Sequence, residues 1–196
     1  MADLRRAWLL RLYQLACESV LDESRLQLLQ AEARALGIGC SLHRLPAHTN
    51  LDHLAVALVH RLEMGESGLR IWSGVLQPAG MEGPAQRLAL NAARLLAGRE
   101  ELLVLAGALD GMDGRSVDNG ALVDGETCAR VAVAGLDPET ELQCNNSAEA
   151  LQAAGDLLTF SEGALGTNYL VLGLKLGSAA AEPLTRLHGL QRLRMV

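Results

Sequence analysis

The sequence predicts a single α/β domain with three layers, in which helices cover both faces of a mainly parallel central sheet. Strand-like and helix-like segments alternate along the chain, which is typical of right-handed β-α-β crossovers. The segment ELLVLAGA at 101–108 is continuously apolar, as expected for a strand that is buried on both faces. The length of 196 residues suits one domain with a substantial core, so residues 1–196 are treated as one unit.

The first half of the chain carries boundary signals for its elements. Apolar side chains at helical spacing predict a leading helix over 1–20. Asp22 is a suitable N-cap for a second helix, which Gly37 ends. We expect the following elements to be a strand at 38–45, a helix from Thr49 or Asn50 to near Gly65, a strand at 68–75, and a helix that starts at Pro84, reaches Leu96 and is terminated by Gly98.

The second half is predicted to contain shorter elements after the apolar strand. We expect a strand near 121–123, a helix over 124–134, a helical turn starting at Pro138, a helix at 147–154, and strands around 156–160 and 168–176. The tail at 183–196 is basic and predicts a last helix. That helix either binds a partner or presents a solvated or dimer-forming face.

Charge and composition exclude several classes of partner. The net charge of −6 argues against nucleic acid and against an anionic membrane, because both require concentrated Lys and Arg. No stretch has the apolar length of a membrane span, and Arg11 interrupts the apolar run near the N-terminus that would otherwise suggest a signal peptide. The four cysteines are widely spaced and form no zinc pattern, which favours reduced thiols in a cytoplasmic protein.

The acidic, glycine-rich segment LDGMDGRSVDNGALVDG at 109–125 is the strongest candidate site. Asp110 and Asp113 directly follow the apolar strand, and ligands of parallel sheets gather beyond the carboxyl ends of the strands. Three interpretations of the two carboxylates remain open: bonds to turn amides around Gly111 and Gly114, a ligand-binding role, or calcium binding. Met112 disfavours calcium because it stands where an oxygen ligand would be needed.

Three further features have a functional and a structural interpretation. The loop at 163–168 either presents backbone N–H groups to an anion or is a tight connection between strands. His53 and His60 share a helix face, but seven residues span roughly 10 Å, so we expect no shared metal ion. Cys144 has no identifiable base beside it, and we expect it to be a buried structural thiol.

From residue 109 onward the motifs become specific to a known family. LDGMDG, GALVDGETCARVAVAGLDPETEL, NNS, GDLL and EGALGTN occur in the same order as in the MOFRL domain, the C-terminal part of glycerate 2-kinases that are often labelled hydroxypyruvate reductases. The resemblance is strongest over 100–172. It is weaker over 22–99, where SGV and EGPAQRLALNAARLLAG resemble the family's SGGE and GGRNQELAL segments.

The resemblance implies a fold and a site. In the family, a nucleotide-binding domain faces the MOFRL domain, and glycerate and ATP meet in the cleft between them. The chain resembles the MOFRL domain with its leading helix, so we expect it to stand alone. The family motifs fall on five candidate substrate-binding residues of this sequence: Asp110, Asp113, Gly166, Thr167 and Asn168.

The sequence departs from the family pattern where phosphate chemistry is expected. Pro84 and Ala85 stand in place of an Arg-Asn pair, which removes donors suited to an anion. Val75 and Leu76 stand in place of Gly-Glu, and Glu162 puts a negative charge where the family has threonine. These differences, with Asn146 in place of an aspartate, predict that phosphoryl transfer has been lost.

Two functional hypotheses follow. The first is a non-catalytic binding or interaction module that needs no cofactor and no metal and forms a homodimer or binds an unidentified protein, because the former interdomain surface has to be covered. The alternative is a subunit that binds a small hydroxy acid and requires a separate nucleotide-binding domain for kinase activity. Dehydrogenase chemistry has no support, since the sequence contains no dinucleotide fingerprint.

Overall fold

A six-stranded sheet forms the centre of the protein in a computed structural model, which describes residues 2–18, 21–79, 82–159 and 167–177. The helices are α1 (Ala2–Cys17), α2 (Glu23–Ala35), α3 (Leu51–Met64), α4 (Pro84–Leu96), α5 (Thr127–Val133), α6 (Pro138–Gln143) and α7 (Ser147–Ala154). The strands are β1 (Cys40–Arg44), β2 (Gly68–Gly74), β3 (Leu102–Ala108), β4 (Gly120–Asp124), β5 (Leu157–Leu158) and β6 (Tyr169–Lys175).

The sheet is mixed, and the prediction of a mainly parallel sheet was wrong. Its strand order is β1-β2-β6-β3-β4-β5, and among the described strands β1 and β2 are the only parallel pair. The strand β6 is inserted between β2 and β3 and runs antiparallel to both. The strands β3 and β4 form an antiparallel pair because the connection 109–119 contains no helix that would return the chain to the other end of the sheet.

The predicted three-layer arrangement is confirmed. Helices α1 and α2 pack on one face of the sheet, where their apolar side chains form one core with alternate residues of the strands. Helices α3, α4, α5, α6 and α7 contribute to a second core on the opposite face. The central strand β3 is buried along its whole length, as the apolar segment predicted.

Most element boundaries agree with the signals in the sequence. The side chains of Asp22 and Asn50 accept hydrogen bonds from the first turns of α2 and α3, as N-caps do. The helix expected from residue 124 begins at Thr127, because Asp124 is the last residue of β4. The predicted helix at 183–196 lies outside the described residues.

Helix α1 lies across the sheet and contacts both of its ends. Arg6 forms ion pairs with Asp124 and with the buried Asp156 at distances of 2.5 and 2.7 Å. Near the other end of the helix, the hydroxyl of Tyr13 donates to the carbonyl oxygen of Ala108. A Cβ at Gly107 would lie 2.6 Å from the Tyr13 ring, so the close approach of this helix to β3 requires glycine.

Strand directions bring separate segments together at one end of the sheet. The carboxyl ends of β1, β2 and β3 lie at the end where β6 begins, because β6 is antiparallel to its neighbours. The segments that follow β2 and β3 therefore meet the residues that precede β6.

No described helix has the length and apolar character that crossing a membrane requires.

Candidate functional site

A cleft of about 420 Å³ opens at this end of the sheet. Its walls come from the segment after β2, from the start of α4, from the loop between β3 and β4, and from the start of β6. The lining residues are Val75, Leu76, Pro78, Ala79, Glu82, Pro84, Gly114, Arg115, Thr167 and Tyr169. The cleft thus combines an apolar wall with a few polar groups, as small-molecule sites commonly do.

Asp110 joins the end of β3 to the start of β6. Its carboxylate accepts hydrogen bonds from the backbone N–H and hydroxyl of Thr167, at 2.9 and 2.8 Å. It also accepts from the backbone N–H and side-chain amide of Asn168, at 3.2 and 3.0 Å. Partial burial opposes ionisation, but these bonds outweigh it and lower the pKa of Asp110. The carboxylate therefore stays ionised and ties two segments of the site together.

Asp113 is fully buried and caps α4 from a distant part of the chain. Its two carboxyl oxygens accept from the backbone N–H groups of Ala85 and Gln86, at 3.0 and 2.8 Å. The N-cap residue of α4 is Gly83, which has no side chain to cap the helix itself, and a Cβ there would lie 2.2 Å from Asp113. The N-terminus of α4, which would otherwise attract an external anion, is thus occupied by a carboxyl group of the protein.

The structure brings four of the five predicted site residues into one region. Asp110, Thr167 and Asn168 contact one another directly, and Asp113 lies in the same loop as Asp110. Gly166 lies outside the described residues. The turn-amide interpretation was wrong in its partners, since the two carboxyl groups bond to β6 and α4 rather than to amides around Gly111 and Gly114.

Glu82 is a buried residue of the cleft wall that sequence reasoning missed. One carboxylate oxygen pairs with Arg87 at 2.6 Å, and the other accepts from the hydroxyl and backbone N–H of Ser147, at 2.6 and 3.2 Å. The N-cap of α7, Asn146, makes no side-chain capping bond, so Glu82 takes that role. In the sequence, the position of Glu82 just before Gly83 and Pro84 was the only sign that it lies near a helix start. Its capping of α7 could not be predicted, because Ser147 is 65 residues away.

Arg87 connects the helices behind the cleft. It lies about one helical turn after Pro84, and Pro84 is the residue that stands where the family pattern has an arginine. Its guanidinium bonds to Glu82, to both carboxylate oxygens of Asp52 at 3.1 and 3.3 Å, and to the side-chain oxygen of Asn145 at 3.2 Å. These bonds join α4 to α3 and to the segment before α7. The charge of Arg87 is thus neutralised by carboxylates of the protein itself.

The ionisation of Asp113 is expected to make stability depend on pH. Burial raises its pKa from 3.8 to about 7, against the opposing effect of the N–H donors and of the hydroxyl of Tyr169, and with a further rise from the charge of Glu82. Because the pKa is higher in the folded state, the contribution of Asp113 is complete below about pH 4 and is lost as the pH rises to about 7.

The comparison with Asp113→Asn, which does not titrate, isolates this effect. We expect the free energy of unfolding of the wild type, relative to the variant, to fall between about pH 4 and pH 7 and then to level off. Urea unfolding across that range measures the difference. A difference that stays constant or increases with pH would contradict the assignment.

Other candidate groups lie outside the cleft or are not arranged for chemistry. Among the residues that the structure describes, no three His, Cys, Asp or Glu side chains are grouped to hold a metal ion. All four cysteines are free thiols. Cys144 is exposed at the end of α6, so the expectation that it is buried was wrong.

Comparison with known proteins places these observations in a family. A family model described as the MOFRL family matches residues 61–170. A D-glycerate 2-kinase of Thermotoga maritima is 37% identical over 95 residues, which are 48% of this chain and 23% of that protein. A putative hydroxypyruvate reductase of Agrobacterium vitis is 32% identical over 131 residues, which are 66% of this chain and 29% of that protein.

The fold has a counterpart of known structure. The crystal structure of glycerate kinase from Thermotoga maritima aligns with a TM-score of 0.68 and 24% identity, over 78% of this chain and 39% of that one. At this identity the structural similarity establishes the fold alone. The chain thus spans less than a third of the length of these two sequence relatives. Since the family model covers more than half of the sequence, including the cleft segments at 75–84 and 109–115, the chain belongs to the MOFRL family.

Proposed function

We propose that the chain is a non-catalytic binding module of the MOFRL family, which holds a protein partner or a second copy of itself at the cleft. The observation that carries the proposal is the use of the site's carboxyl groups. Asp110 is bonded to Thr167 and Asn168, Asp113 caps α4, and Glu82 caps α7 while pairing with Arg87. Each of these groups stabilises the fold, so none of the three carboxyl groups is available as an acid, a base or a metal ligand in the described part of the cleft.

The apolar wall of the cleft supports binding to a protein. Val75 is 63% exposed at the cleft, and Val117 is 72% exposed in the loop that also carries Gly114 and Arg115. Pro78, which is exposed, and Ala79, which is partly buried, line the cleft beside Val75, whereas Leu76 belongs to the buried core. Val75 and Pro78 are both exposed within four positions of the chain, and neighbouring exposed apolar groups mark interaction sites more often than isolated ones do.

The test has a chemical and a physical part. Calorimetry with glycerate, hydroxypyruvate or ATP is expected to show no binding at millimolar concentrations, and the chain alone is expected not to transfer the γ-phosphate of ATP to glycerate.

Sedimentation velocity is expected to show a dimer that Val75→Asp weakens about tenfold, since a buried charge at an interface costs more than about 1.4 kcal/mol. Val133→Asp is the matched control, because Val133 is 90% exposed on α5, away from the cleft. Binding of any of the three compounds, or phosphoryl transfer, would overturn the proposal.

A second candidate function rests on Arg115. A guanidinium suits the carboxylate of a small hydroxy acid, and Arg115 lines the cleft together with Thr167 and Tyr169. In this case the chain binds the acid and requires a separate nucleotide-binding domain for kinase activity. Glycerate binding that is lost in Arg115→Ala, with the fold intact, would favour this function over the first.

A further inference from the structure

The strand β1 forms one edge of the sheet. Within the described parts of the chain it pairs only with β2. The backbone N–H of Leu45 donates to the carbonyl of Ser73, and the carbonyl of Gly39 accepts from Leu69. Odd-numbered residues of β1 therefore bond to β2, and its even-numbered residues direct their N–H and C=O groups away from the sheet. These outward groups are those of Cys40, Leu42 and Arg44.

Positive charge lies on both faces of this edge. On the side of α3, burial lowers the pKa of His43, and the charges of Arg61 and Arg70 lower it further. On the other side, burial raises the pKa of Cys40 to about 11, and the charge of Arg34 opposes that rise. The charged groups that act on these two residues are thus all arginines, although the chain as a whole carries a net charge of −6.

Two further arginine features belong to the same edge. The exposed Arg44 is the last residue of β1. On the neighbouring strand, Arg70 is in register with Ser41, and its Nη1 atom is buried with no hydrogen-bond partner among the described residues. Its Nη2 atom donates to the carbonyl of Glu66, so this charge is held beside the loop that precedes β2.

The charges around β1 indicate which kind of chain can pair with it. A second copy of the chain would place arginines opposite arginines, and like charges facing each other across paired strands are destabilising. We infer that β1 is the docking edge for an extended acidic segment of a partner protein, which adds a seventh strand to the sheet. Backbone hydrogen bonds to Cys40, Leu42 and Arg44 hold the segment, and its carboxylates meet the arginines on both faces. This inference concerns a different surface from the cleft and does not rest on the proposed function.

Peptide binding tests the charge requirement. The probe is a short fluorescein-labelled peptide of alternating Glu and Val, compared with one of alternating Lys and Val. Fluorescence polarisation is expected to show binding of the Glu peptide only. The double variant Arg44→Ala, Arg61→Ala is expected to weaken that binding about tenfold or more, whereas Arg11→Ala, which removes an exposed arginine of α1, is expected to leave it unchanged. Equal binding of the two peptides, or no binding of the Glu peptide at millimolar concentration, would overturn the inference.

Hydrogen exchange measured by NMR tests the edge geometry. On adding the Glu peptide, the amides of Leu42 and Arg44 are expected to exchange more slowly, while those of Ser41 and His43, already bonded to β2, stay as they were. Arg44→Pro removes an outward N–H that the edge of a sheet does not otherwise need, so it is expected to weaken binding more than Arg44→Ala does. Slow exchange of the outward amides in the free protein, or self-association that Arg44→Pro abolishes, would overturn the inference.

Discussion

Replacing Asp113 with alanine is expected to lower the free energy of unfolding by about 3 kcal/mol at about pH 5.5. The buried carboxyl group is the acceptor for the backbone N–H groups of Ala85 and Gln86 at the start of α4. Gly83 has no side chain to replace it, and Pro84 provides no N–H. Without Asp113, two buried donors lose their partner at the helix that packs against β3, β4, α3 and α7.

Asp137→Ala is the matched control for this variant. Asp137 also caps a helix, since it accepts from the backbone N–H of Thr140 at 2.8 Å, but it is exposed. Water replaces the lost acceptor there, so a clearly smaller loss is expected. Urea unfolding followed by circular dichroism measures both variants. A loss for Asp113→Ala that does not exceed the loss for Asp137→Ala would show that the buried cap is not important for stability.

The sequence was sufficient to predict most helices and strands because their signals are local. Asp22, Asn50 and Asp137 are cap residues whose partners lie within three positions, and Pro84 marks the start of α4 directly. The antiparallel pairing of β3 and β4 is also indicated by a local feature, the connection between them. No helix was predicted between 108 and 121, and a parallel pair requires a crossover that such a connection rarely provides.

The strand order and the partners in the site could not be predicted in the same way. The insertion of β6 between β2 and β3 depends on packing between segments that are about 100 and about 70 residues apart in the chain, and no periodicity in the sequence records it. The motif at 109–125 identified Asp110 and Asp113, but the partners of Asp113 lie 27 and 28 residues earlier in the chain. The resemblance to the family pointed to these two aspartates as candidates, whereas the bonds that their carboxyl groups make are evident only from the fold.

The loss of Glu82 is expected to have a still larger effect on stability than the loss of Asp113. In Glu82→Ala, the N–H and hydroxyl of Ser147 lose their acceptor, and Arg87 loses a buried ion pair at 2.6 Å. Asp52 still pairs with Arg87 in this variant, but the buried half of the ion pair is lost together with the only side-chain acceptor described for the two Ser147 donors, so the expected cost is about 4 kcal/mol. Urea unfolding measures this cost, and exchange of the Ser147 amide reports separately on the start of α7.

The remaining partners of Arg87 provide the control. Asp52 bonds to the same guanidinium, but its side chain is 47% exposed, so Asp52→Ala is expected to cost about 1 kcal/mol or less. Glu82→Gln keeps the shape of the side chain and one acceptor oxygen. Its loss of unfolding free energy is expected to lie between that of Asp52→Ala and that of Glu82→Ala. If Glu82→Ala and Asp52→Ala are equally mild, the Glu82 carboxylate is not needed for the fold. It would then be available for ligand chemistry in the cleft, contrary to the proposed non-catalytic function.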